Sequence, residues 1–204
     1  MKIGIINYGA GNIGSIKKSL GSFNVNYKII NEVIQLNEID KLILPGQGAF
    51  ENAIDNLKSN GLFDGILEFN NNKKPILAIC LGMQLLFSKS SEFNNCDGLN
   101  ILNGRVDKIN IDKFPSPIIG WYNINKIDKS LDHGIFNFIN NKMSFYFAHS
   151  MHCTYKGEGV CSYVKYNGQF VIATLSQKNI FATQFHPELS DAYGRKIIEN
   201  FINL

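Results

Sequence analysis

Long apolar runs are missing from these 204 residues: no stretch approaches the roughly 18 apolar residues that a membrane span needs. The opening MKIGIINYGAG is too briefly apolar for an export signal and runs straight into a glycine-rich loop. Charge of one sign is scarce as well. Lys and Arg total 20 against 17 Asp and Glu, a formal net charge of +3, and the basic residues are scattered. A nucleic-acid binder would gather them on one face, so none is expected as partner. The four cysteines, Cys80, Cys96, Cys153 and Cys161, contain no CxxC pair. Without an export signal they are expected to stay reduced, in a cytoplasmic setting. Internal repeats and low-complexity tracts are lacking too, apart from a general richness in Asn. What remains is 45% hydrophobic and 18% charged, enough to bury the core of one domain, 1–204, without disulfides or metals.

The first half alternates strand and helix patterns. Residues 2–7 form a short apolar run ending at Gly9 and Gly11, followed over 12–21 by Ile13, Ile16 and Leu20 at helical spacing. Runs 25–30 and 41–44 read as strands, and 50–59 and 62–70 as helices split by Asn60-Gly61. Residues 75–80 look like a buried strand, with a helix over Leu81–Lys89 behind it. Such alternation predicts parallel βαβ units with helices on both faces. From about 99 to 186 the pattern changes to short β runs at 105–111, 118–124, 143–148, 159–166, 170–175 and 180–185. These predict an antiparallel extension of the main sheet. An amphipathic helix over 191–203 closes the chain.

Chemistry concentrates at three places. Ala78-Ile-Cys80-Leu-Gly82 puts a thiol where a buried strand turns into a helix. There the helix N-terminus favours thiolate, and the amide of Leu81 points toward a developing oxyanion. A nucleophilic thiol needs a base. His186 ends an apolar run, Pro187 stiffens the turn, and Glu188 is placed to orient the imidazole. Leu44-Pro-Gly46-Gln-Gly48 follows a strand with two glycines, so backbone amides there can approach a ligand closely. All three fall at the sheet edge where open α/β sheets bind ligands.

Together with Tyr8–Ser15, Ile79–Gln84, Ile119-Gly-Trp121, Tyr146–Ser150 and Gln184–Glu188, these motifs resemble the class I glutamine amidotransferases over essentially the whole chain. They most resemble the glutaminase subunits that serve imidazole glycerol phosphate synthesis in histidine biosynthesis. The resemblance implies a flavodoxin-like α/β fold and a Cys80–His186–Glu188 triad that hydrolyses glutamine without cofactor or metal. It implies an oxyanion hole from the amides of Gly48 and Leu81. Gly46, Gln84 and the backbone at Ser150 and Met151 would hold glutamine, and ammonia would pass to a (β/α)8-barrel cyclase/synthase partner met by Asn12, Ser15 and Trp121. Members commonly carry Pro-His-x-Gly-Trp-Asn and His-Pro-Glu-Lys-Ser; this chain has Ile118, Tyr122 and Leu189 at the variable places, and Met151 where Tyr is usual. Those changes motivate an alternative destination for the ammonia, amidino-sugar formation in surface glycans.

Two rival readings attach to other motifs. Gly9-Ala-Gly-Asn-Ile-Gly14 is a literal G-x-G-x-x-G with Glu32 beyond the next strand, the form of a dinucleotide fingerprint. His149 and His152, with Cys153, have metal-ligand chemistry, but on one continuous strand they would face opposite ways.

Overall fold

The computed structural model describes residues 1–93, 95–109, 117–127 and 132–204. In chain order its elements are β1 (Lys2–Ile6), α1 (Ile13–Gly21), β2 (Asn26–Ile30), β3 (Lys41–Leu44), α2 (Phe50–Ser59), α3 (Leu62–Asn71), β4 (Ile76–Ile79) and α4 (Leu81–Leu85). Then come β5 (Phe87–Ser90), β6 (Cys96–Asp97), β7 (Leu102–Lys108), β8 (Ile118–Ile127), β9 (Ser144–His149) and β10 (Met151–Tyr155). The chain ends with β11 (Val160–Tyr166), β12 (Gln169–Gln177), β13 (Ile180–Thr183) and α5 (Asp191–Ile202). The main sheet runs β2-β1-β3-β4-β13-β12-β11-β8-β9, parallel from β2 through β13 and antiparallel beyond. This is the expected α/β sheet with its antiparallel extension.

Strand alternation explains the two-sided cover. Leu42 and Leu44 of β3 join Ile54 and Leu57 of α2 and Leu62 and Ile66 of α3 in one core. Ile43, between them, joins Ile16 and Leu20 of α1 and Ile197, Ile198 and Phe201 of α5 in the other. Gly61, in the left-handed region at φ 67°, separates α2 from α3, as Asn60-Gly61 predicts.

Three expectations need correction. The helix read over Leu81–Lys89 stops at Leu85, and Phe87–Ser90 is a strand. The carbonyls of Leu85 and Leu86 accept hydrogen bonds from Leu99 and from Ile101 and Leu102, so they are unavailable to a continuing helix. The β-rich half also builds more than an extension: β10-β7-β5-β6 form a second sheet, in which β5, β6 and β10 carry no strong strand signal in sequence. Finally, positions 149 and 152 do not share one strand. The chain leaves the main sheet at Ser150, so His149 ends β9 and His152 lies in β10 of the second sheet. Of the strand expected at 105–111, residues 110 and 111 lie outside the described residues.

Candidate active site

Cys80 follows β4 directly and caps α4, with φ 54° and ψ −110°, a conformation that a residue with a side chain adopts only under constraint. The constraint is visible. Its amide donates to the Thr183 carbonyl of the neighbouring strand (2.7 Å), and Gln84 N–H returns to its carbonyl (3.2 Å). A side chain at Gly82 would stand 2.0 Å from the Leu44 carbonyl oxygen. One at Gly46 would meet the Gly82 amide at 2.5 Å and the Tyr8 hydroxyl at 2.8 Å. The Pro45–Gly48 loop is thus pressed against the elbow from below, helped by the buried Tyr8 hydroxyl, which donates to the Pro45 carbonyl (2.8 Å). Gly11 completes this packing, since a Cβ there would lie 3.1 Å from Pro45. The glycines that mimic a dinucleotide fingerprint are accounted for by that contact.

β13 runs beside β4, so the segment after it arrives at the thiol. His186 is hydrogen-bonded to Cys80, and its Nδ1 faces Glu188 Oε1 at 2.9 Å, which leaves Nε2 for the sulfur. Burial opposes charge on His186, yet the hydrogen bonds to Cys80 and Glu188 and their negative charge outweigh it and push the imidazolium up to about 10. The arrangement therefore favours a thiolate–imidazolium pair oriented by a carboxylate, competent for nucleophilic attack followed by proton return.

Beside the sulfur lies a cavity of about 150 Å³, lined by Gly48, Leu81, Gln84, Glu92, Ala148, Ser150 and Met151 among others. Cys80, Gly48, Leu81, Gln84, Ser150 and Met151 are thus brought together as expected. Gly46 is not on that lining; it packs under the elbow. Asn12 and Ser15 stand apart, where the Asn12 side chain accepts the Ser15 amide (3.1 Å) and caps α1. Trp121 is also outside, on β8, nearly half exposed and edge-on to Tyr146.

Two lining or adjoining residues carry no motif of their own. Gln184 is fully buried; its Nε2 donates to Cys80 Sγ (3.7 Å), and its Oε1 accepts from Gln84 Nε2 (3.1 Å). A polar residue interrupting the apolar run before His186 is the available signal. Glu92 lies on the cavity wall and accepts the Phe50 amide at the start of α2 (2.7 Å). It sits in a polar stretch that gives no signal. Among the described residues no group of three potential metal ligands occurs.

A family model described as "Glutamine amidotransferase class-I" matches residues 4–204. The chain is 38% identical, over the full length of both, to the "Imidazole glycerol phosphate synthase subunit HisH" of Pelagibacter ubique. It is 40% identical to the HisH subunit of Methanocaldococcus jannaschii, with 99% of each chain covered. Among solved structures, PurLQS from Thermotoga maritima superposes with a TM-score of 0.73 at 16% identity, over 99% of this chain and 97% of that one, which shows a shared fold.

Proposed function

Because this chain belongs to the class I glutamine amidotransferase family, we propose that it is the glutaminase subunit of an imidazole glycerol phosphate synthase, cleaving glutamine at Cys80 and passing the ammonia to a barrel partner. The observation that carries the reading is the strained thiol at φ 54° held in line with His186 and Glu188.

Cys80 Sγ attacks the side-chain carbonyl carbon of glutamine. The amides of Gly48 and Leu81 take the oxyanion, which makes the tetrahedral intermediate less costly. His186 returns its proton to the departing nitrogen, ammonia leaves, and a glutamyl thioester remains on Cys80. Water, deprotonated by His186, then releases glutamate and restores the thiol. Glu188 keeps the imidazole in the tautomer that serves both steps.

The amino-acid end has complementary walls. Both N–H groups of Gln84 are engaged, by Gln184 Oε1 and the Met151 carbonyl, so Gln84 offers its oxygen to the substrate ammonium, beside the Glu92 carboxylate. The Ile109 amide donates to the Ser150 carbonyl (2.9 Å), which makes Met151, opposite Lys108, a non-hydrogen-bonded position. Its amide therefore turns away from β7 and suits the substrate carboxylate.

The partner-facing surface is read at Asn12, Ser15 and Trp121, with Ile119 and Leu189 as exposed apolar neighbours. The names of the two relatives favour histidine biosynthesis over surface-sugar amidation as the destination of the ammonia. No helix among the described residues is long and apolar enough to cross a membrane.

The direct test is alkylation. A diazo-ketone analogue of glutamine should label one thiol and stop turnover. Cys80→Ala should lose both the label and at least about 10³-fold in rate. A label that persists in that variant sinks the assignment.

A further inference from the structure

His149 joins no group of metal ligands, yet it is almost wholly buried beside the cavity, and the mechanism above gives it no task. Its two nitrogens are both engaged. Nδ1 lies 2.7 Å from the Met151 carbonyl oxygen, and Nε2 lies 3.2 Å from the Tyr166 hydroxyl. A carbonyl only accepts, so Nδ1 carries the proton. Burial drives the imidazole's pKa down to about 4, which keeps it neutral at working pH; Nε2 is then an acceptor, and the Tyr166 hydroxyl donates to it. One tautomer is locked by geometry alone.

The locked bond spans the single residue by which the chain passes from the main sheet to the second sheet. Ser150 is that crossover, and the crossover forms one wall of the cavity. The Met151 carbonyl takes His149 from one side and Gln84 Nε2 (3.4 Å) from the other. Behind His149 the support is aromatic. Tyr166 is buried, and the Tyr122 ring meets it edge-on at 4.9 Å. Phe147 stands against Tyr122, Tyr166 and His149 at 6.1, 6.1 and 5.8 Å. Tyr122 belongs to β8, the strand that exposes Trp121, so the line from Met151 to the outer surface is continuous.

We propose that His149 and Tyr166 are positioning residues of the glutaminase site: the Tyr166 hydroxyl fixes the His149 tautomer, and His149 holds the Met151 carbonyl so that the Ser150–Met151 backbone presents its amide to the carboxylate of glutamine. This rests on the glutaminase reading and adds a role in substrate binding rather than in bond breaking. It predicts that loss of the link weakens glutamine binding while the chemical step at Cys80 keeps its rate.

The test measures glutamine hydrolysis by the full chain and its variants. Tyr166→Phe keeps the packing ring and removes only the donor, and should raise KM about fivefold with kcat within about threefold. His149→Leu should raise KM about tenfold or more. His149→Asn, whose side-chain amide reaches the same carbonyl as Nδ1, should recover most of that loss. Rescue by Asn separates positioning from packing, because Leu fills the space better than Asn does. The Tyr166→Phe comparison also keeps the test decisive if His149→Leu does not fold. An unchanged KM in Tyr166→Phe, or equal KM values for the Asn and Leu variants, would overturn the proposal while leaving the glutaminase reading intact. A wild-type chain that neither hydrolyses glutamine nor takes the diazo-ketone label would overturn both.

Discussion

Glu188 is nearly inaccessible, with Oε1 on His186 Nδ1 and Oε2 buried without a hydrogen-bond partner among the described residues. A carboxylate so placed has one strong compensation, the imidazolium, which makes the pair mutually dependent. Glu188→Gln should therefore lower kcat by between about 10² and 10⁴-fold, read from initial rates of glutamate release. The same substitution carries a stability signature. His186 has its pKa raised from 6.5 to about 10 in the folded chain, so its stabilisation is complete below 6.5 and is lost as pH rises through about 10. Urea unfolding between about pH 6 and pH 10 should thus show stability falling across this window, and falling less steeply in Glu188→Gln. Equal slopes in the two chains would mean that Glu188 does not set the histidine's proton affinity.

At the level of elements, the site depends on close approaches between backbones. β3 and β4 lie side by side, and the loop after β3 touches the elbow after β4 through Gly46 and Gly82. The opposite end of the same sheet is tied by Lys41, at the start of β3. Its Nζ donates to the carbonyls of Phe201 (3.1 Å) and Ile202 (2.6 Å) at the end of α5. Those carbonyls have no intrahelical donor, as at any helix C-terminus, and the lysine is itself buried. Lys41→Met keeps the aliphatic stem and removes the donor. It should cost about 1–3 kcal/mol, visible as a lower urea midpoint at constant slope. An unchanged midpoint would show that water serves those carbonyls equally well.

For the molecule as a whole, a glutaminase that works without an acceptor wastes its substrate. The glutaminase rate should accordingly rise at least about tenfold when the barrel partner binds, with the Gly46–Gly48 loop as the gated element. Trp121, exposed on β8, tests the docking face. Trp121→Ala should weaken partner binding by about 2 kcal/mol or more, measured by titration calorimetry, while iodoacetamide still modifies Cys80 at the wild-type rate. Full glutaminase activity in the isolated chain would contradict the gating, and undiminished partner affinity would move the interface elsewhere.

Much of this is readable along the chain. The alternation of apolar runs and helical spacing determined the parallel half of the sheet, because period and burial follow directly from side-chain order. Cys80, His186 and Glu188 are legible because each sits at or just past the end of a buried strand, where local sequence alone says that a side chain reaches the sheet edge. The rest waited for tertiary structure. α4 reads as a longer helix because apolar residues at Leu85, Leu86 and Phe87 fit either period, and only pairing with residues 99–102 decided for a strand. Gln184 and His149 owe their places to partners about 100 residues away or on other strands, Gln84 for the first and Tyr166 for the second. Local pattern determined where the thiol and its base stand; the neighbours that orient the substrate wall come from distant segments, and no sequence spacing encodes a contact made across two sheets.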